Sequence, residues 1–85
     1  MQVFRTERFK KDFKRLPREI QARLPDVLER FVDNPRHPSL QTKKMEGVRD
    51  IWELRVTQSY RITFQFVLEG VLLRRVGTHD VLRQP

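Results

Sequence analysis

The hydrophobic residues of this chain change their spacing once, near residue 48, and that change limits the folds open to it. Before it they recur at helical intervals. Phe9, Phe13 and Leu16 make one stripe, and Ile20, Leu24, Val27, Leu28 and Phe31 make a second, longer one. After it they alternate. Trp52, Leu54 and Val56 alternate with Ile51, Glu53 and Arg55, and Tyr60, Ile62, Phe64 and Phe66 alternate with Arg61, Thr63 and Gln65. A run of helices followed by a run of strands predicts an α+β domain, with the helices packed on one face of a sheet.

The punctuation divides these runs into elements. Gln2 to Arg5 reads as a short first strand, and Thr6 stands where a helix N-cap belongs, with Glu7 in the first turn. Leu16-Pro17 breaks the first helix, and Pro17 suits the start of a second. Pro25 lies inside that second helix, but the apolar stripe continues in phase across it, so a kink is expected there. Asn34-Pro35 ends the helix, and residues 35–47 read as a polar connector. Thr57-Gln58-Ser59 and Glu69-Gly70 read as turns between antiparallel strands. In the last strand, Leu72 and Val76 compete with Val71 and Leu73 for the inner face, and the pattern leaves the parity open. Gly77 ends that strand, and a short tail follows. The expected layout is one domain over residues 1–85: strand, helix, helix, then a three-stranded antiparallel sheet with helices on one face and the other face open.

Length and charge bound what such a domain does. Eighty-five residues hold one core, and a hydrophobic fraction of 38% is enough to build it. There is no cysteine, and neither histidine has ligand spacing to a second donor, so no disulfide, metal or cofactor is expected. No apolar run reaches the roughly 20 residues of a membrane span, and the N-terminal segment lacks the apolar stretch of a secretory signal. A cytoplasmic protein with no membrane partner is the expectation. Eighteen Lys and Arg against eleven Asp and Glu give a net charge of +7, which favours a polyanionic partner, with RNA ahead of DNA. Lys10, Lys11, Lys14, Arg15 and Arg18 on the helices, Lys43 and Lys44 in the connector, and Arg75 on the last strand are the candidate contacts to RNA or the ribosome.

Strand alternation concentrates chemistry on one face. If Trp52, Leu54, Tyr60, Ile62 and Phe64 face the helices, then Glu53, Arg55, Arg61, Thr63 and Gln65 share the open side. The turn at 57–59 makes Arg55 and Arg61 neighbours. Two adjacent guanidiniums repel unless an anion lies between them, and phosphate matches their geometry. His79, just past the last strand, adds a group that can give or take a proton near neutrality.

The string of motifs resembles the RelE/ParE superfamily, the toxin half of bacterial and archaeal toxin–antitoxin pairs. The resemblance runs from Phe9-x-x-x-Phe13-Lys14-Arg15-Leu16-Pro17, through Met45-Glu46-Gly47, Trp52-Glu53-Leu54-Arg55-Val56 and Tyr60-Arg61-Ile62-Thr63-Phe64, to the segment Val76 to Leu82. It implies one of two activities. RelE-like members are ribosome-dependent, metal-independent endoribonucleases that cut mRNA by attack of its own 2′-hydroxyl, leaving a 2′,3′-cyclic phosphate and stopping translation. ParE-like members poison DNA gyrase. By position, the resemblance gives Arg61 to the scissile phosphate, Arg55 to a basic role beside it, and His79 to proton transfer. Glu53 stands where RelE carries a lysine, which makes it a candidate base. The tail, Val81 to Pro85, lacks the aromatic that stacks on a base in many active members. The family also implies an acidic cognate antitoxin that covers the sheet face or wraps the helices, with mRNA and the ribosome as further partners and a toxin that is monomeric in isolation. A catalytically weak, RNA-binding homologue is the third reading.

Overall fold

A computed structural model describes all residues, 1–85. Strand β1 (Gln2–Arg5) leads into helix α1 (Glu7–Arg15), which is followed by α2 (Arg18–Asp33). A two-residue strand β2 (Lys43–Lys44), then β3 (Trp52–Arg55), β4 (Arg61–Val67) and β5 (Gly70–Gly77) complete the sheet. Short 3-10 turns cover Pro38–Leu40 and His79–Leu82. The helix boundaries follow from local chemistry. The Thr6 side chain accepts the Phe9 N–H at 3.0 Å and so caps α1, while Asn34 closes α2 by donating its N–H to the Arg30 carbonyl. Helix α2 runs from Arg18 to Asp33 as one element through Pro25, because its buried stripe, Ile20, Leu24, Val27 and Phe31, holds both halves to the same sheet.

The sheet is larger than the expected three antiparallel strands. Its order is β1-β5-β4-β3-β2, five strands, with β1 parallel to β5 and the other pairs antiparallel. The N-terminal strand joins at one edge because the two helices carry the chain back across the sheet, which a parallel neighbour requires. At the other edge the polar connector is only partly a connector. Leu40 is 1% exposed within the core, and Lys43–Lys44 pair with Glu53 and Trp52.

The unresolved parity of the last strand has a physical answer. Thr63 pairs with Arg75 and Phe64 with Leu73, so Arg74 is an extra residue, a β-bulge. The bulge resets the alternation, and Val71, Leu73 and Val76 all reach the core. Val76 then meets Ile62, and Leu73 meets Phe64. The bulge is anchored by Thr6, whose hydroxyl donates to the Arg74 carbonyl at 2.8 Å. One threonine therefore fixes both the start of α1 and the point where β1 leaves β5.

The second face of the sheet is not open. The C-terminal turn and tail cross it, and Val81 is buried there. The Thr63 hydroxyl donates to the Pro85 main-chain oxygen at 3.1 Å, and Arg74 Nε donates to the same oxygen at 3.0 Å. Thr63 is fully buried as a result.

Candidate active site

Between the edge of this strap and strand β2 lies a cleft of about 360 Å³. Glu53, Arg55, Arg61 and His79 all line it, together with Lys43, Gln41 and Leu82. The register explains the grouping. Arg55 and Arg61 are direct cross-strand partners, and Glu53 lies opposite Thr63 on one side and Lys43 on the other. Residues paired in this way point to one face. His79 begins the C-terminal turn, which folds back over that face, and remains exposed at the mouth of the cleft.

Arg61 is the most constrained member. It is 7% exposed, and its Nη1 donates to the carbonyls of Thr57, Gln58 and Tyr60 at 2.8, 2.9 and 3.1 Å. These carbonyls belong to the turn between β3 and β4, which Thr57 also ties by accepting the N–H groups of Ser59 and Tyr60. Arg61 Nε lies 3.9 Å from Glu53 Oε1, an ion pair too long to be a hydrogen bond. Burial lowers the Arg61 pKa from its usual value, the Arg55 charge lowers it further, and Glu53 opposes both. The guanidinium remains charged. Arg55 Nε is buried with no acceptor. A like-charged pair directly across a hairpin, with one donor left over, costs free energy that an anion in the cleft would offset.

The remaining basic residues are dispersed. Lys10, Lys11, Lys14, Arg15 and Arg18 are exposed on the helices, away from the cleft. Three of these lysines, with Arg5, border a groove of about 510 Å³ between α1 and α2 whose floor includes Phe9, Phe13, Leu24 and Leu28. Lys43 and Lys44 separate, because neighbours in a strand point to opposite faces: Lys43 enters the cleft and Lys44 pairs with Trp52 on the other face. Arg75 lines a small separate pocket with Arg8 and Arg74, outside the cleft, and its own charge is paired. Its Nε and Nη2 donate to Asp12 of α1 at 2.8 and 3.1 Å, and the same carboxylate accepts the Val76 N–H at 3.2 Å. Asp12 thereby caps the edge of β5 that β1 leaves bare, and its hydrogen bond raises the Arg75 pKa against the opposing effect of burial. A forked arginine of this kind is a structural tie rather than a free contact for RNA.

Sequence reasoning did not find Gln41 or Leu82 in the cleft, nor Lys43 as a wall of it. Gln41 adopts a left-handed conformation, φ 46°, that turns the chain into β2. A two-residue strand has no period to read, and Leu82 lies in a turn too short to show one.

Residues 3–82 match the family model described as the ParE toxin of the type II toxin–antitoxin system, parDE. No curated protein sequence matches the chain. Among solved structures, the chain is similar to the RelB–RelE antitoxin–toxin complex from Methanococcus jannaschii, with a TM-score of 0.71, 24% identity and 96% of each chain covered. It is similar to the Escherichia coli DinJ–YafQ toxin–antitoxin complex, with a TM-score of 0.77, 14% identity and coverage of 95% of this chain and 94% of that one. The YoeB/ParE toxin from Agrobacterium tumefaciens gives a TM-score of 0.77 at 15% identity, over 93% of this chain and 99% of its own. At these identities the likeness is one of fold.

Proposed function

The chain belongs to the ParE toxin family of type II toxin–antitoxin systems, and we propose that it acts as a metal-independent, ribosome-dependent endoribonuclease that cuts mRNA and so inhibits translation. The observation that carries this reading is the single cleft lined by Glu53, Arg55, Arg61, His79 and Lys43. The scissile phosphate lies against Arg55, Lys43 and the free nitrogens of Arg61. Glu53 takes the proton from the 2′-hydroxyl, and the 2′-oxygen attacks phosphorus. The cations stabilise the extra negative charge of the phosphorane, the role a metal plays elsewhere. The bond from phosphorus to the 5′-oxygen then breaks, and His79 protonates that oxygen. The products are a 2′,3′-cyclic phosphate and a free 5′-hydroxyl.

The test is mRNA cleavage with and without ribosomes. His79→Ala should lower the ribosome-stimulated rate by roughly a hundred-fold, within the usual range for a general acid. An unchanged rate in His79→Ala and in Arg55→Ala would overturn the mechanism. A gyrase-directed toxin is the second reading. Two observations favour it: the matching family model is of the ParE type, and one end of Arg61 is already committed to the turn. Inhibition of gyrase supercoiling by a protein that leaves mRNA intact would establish it.

The solved relatives include antitoxin complexes, and we propose an acidic antitoxin for this chain. The groove between α1 and α2, apolar at its floor and lysine-rich at its rim, fits a helix with one apolar and one acidic face.

A further inference from the structure

The helical layer stops short of the β2 edge of the sheet. Phe31, near the end of α2, meets Phe64 edge-on at 4.9 Å, and against β3 beyond it lies only the short 3-10 turn Pro38–Leu40. Trp52 is half-buried, and Phe66 is 48% exposed although its partner Val71 is in the core. The two rings meet edge to face, with centroids 5.4 Å apart and planes at 81°. Across from them runs the loop that follows α2, and between loop and rings is a pocket of about 240 Å³. Arg36, His37, Gln41 and Thr42 supply its polar lining. His37 Nδ1 accepts the Ser39 N–H at 3.2 Å, which leaves the ring proton on Nε2. The Thr42 hydroxyl is buried with no partner.

Gln41 lines this pocket and also the cleft that holds Arg55, Arg61 and His79. The pocket and the cleft therefore adjoin around the edge strand β2, one on each face of the sheet. Apart from the imidazole of His79, the cleft has no aromatic wall.

We propose that the Trp52–Phe66 pocket is a nucleobase subsite, which takes the base of a nucleotide adjacent to the one whose phosphate occupies the cleft. The inference rests on RNA being the ligand of that cleft. Single-stranded RNA is held by stacking unpaired bases on aromatic rings and by hydrogen bonds to their edges. The exposed rings supply the first. The Gln41 amide, which both donates and accepts, supplies the second. Arg36 adds a cation for a flanking phosphate. The strand crosses the β2 edge, with Gln41 at the crossing.

Trp52 is the only tryptophan, so its fluorescence reports on this pocket alone. The probe is a four-nucleotide RNA with 2′-O-methyl sugars, which cannot undergo 2′-hydroxyl attack. It should quench Trp52 saturably, while the same backbone without bases and a polyglutamate peptide should not. Phe66→Ala should weaken binding by roughly ten-fold or more, as loss of one stacking ring does, and Phe66→Tyr should restore it. Leu68→Ala, in the exposed hairpin turn, should bind as the parent does. Melting curves establish that the variants are folded, which the exposure of Phe66 favours. Equal quenching by the abasic backbone, tighter binding of the peptide, absence of saturable quenching, or unchanged affinity in folded Phe66→Ala would each overturn the proposal. The two readings fail separately. Ribosome-stimulated cleavage without RNA quenching removes the subsite and keeps the nuclease. RNA quenching that depends on Phe66, without cleavage, keeps the subsite and removes the nuclease.

Discussion

Arg61 donates from one guanidinium nitrogen to three carbonyls of the β3–β4 turn, so substituting it removes an anchor of the fold as well as a charge. Hydrogen bonds from charged groups contribute about 1.5–3 kcal/mol each, and the three share one donor, so Arg61→Ala should cost roughly 2–4 kcal/mol. In a domain of this size that lowers the melting temperature by roughly 10–25 °C, measurable by circular dichroism. A melting temperature within a few degrees of the parent would mean the turn does not depend on this residue. Loss of activity in Arg61→Ala is therefore ambiguous by itself, and Lys43 gives the cleaner test. Lys43→Ala and Lys44→Ala remove the same charge one residue apart, but only Lys43 lines the cleft. If the cleft binds the scissile phosphate, Lys43→Ala should lower the cleavage rate by roughly ten-fold or more, and Lys44→Ala by about two-fold at most. Equal effects would mean that both lysines act only through the general field. The juxtaposition of Arg55 with Arg61 was legible in the sequence, because alternation across a short turn fixes it. The different fates of Lys43 and Lys44 were not, because two residues have no period. Nor was the pairing of Arg75 with Asp12, which lie 63 positions apart in the chain.

Among the elements, β5 and the turn after it decide where His79 sits. The bulge at Arg74 is what made the parity of β5 unreadable: a rule of strict alternation has no solution when one residue is inserted. The helices posed no such problem, since their apolar stripes run unbroken and Thr6 caps the first of them. The strap over the second face was illegible for another reason. Its apolar content is Val81 and Leu82, too little to distinguish a docked turn from a loose tail. Gly77 tests how tightly that strap is set. A Cβ at Gly77 would lie 2.7 Å from Val81 Cγ1, closer than packed atoms tolerate. Gly77→Ala must therefore move the Val81 side chain or the whole turn that begins with His79. The stability cost should be about 1–2 kcal/mol, typical of one extra methyl in a packed site. If His79 acts at the mouth of the cleft, the cleavage rate should fall by roughly ten-fold or more, because small displacements of a catalytic group are costly. A variant that loses stability but keeps its rate would show that Val81 absorbs the methyl without moving His79.

At the scale of the whole molecule, two of the groups of cations behind the net charge of +7 differ in geometry. One is the cleft of Lys43, Arg55 and Arg61, where Glu53 offsets some of the positive charge. The other is the exposed helical surface, where Lys10, Lys11 and Lys14 line the rim of an apolar groove. Both proposed partners, ribosomal RNA and an acidic antitoxin, are drawn to the second. If both use the same lysines, their binding is mutually exclusive, and an antitoxin seated in the groove would block docking without entering the cleft. The triple variant Lys10→Ala, Lys11→Ala, Lys14→Ala separates the contributions. If ribosome binding uses these cations as phosphate contacts, the slope of log affinity against log salt should flatten by roughly 2–3. An antitoxin seated in the groove would also use the apolar floor of Phe9, Phe13, Leu24 and Leu28, so its affinity should fall less at high salt than at low salt. Cleavage of a short RNA in the absence of ribosomes, where any is measurable, should be unchanged, because the cleft is intact. If the triple variant keeps the parent's salt slope for ribosomes, the helical lysines are a solvated surface, and docking falls to the cleft and the β2 edge.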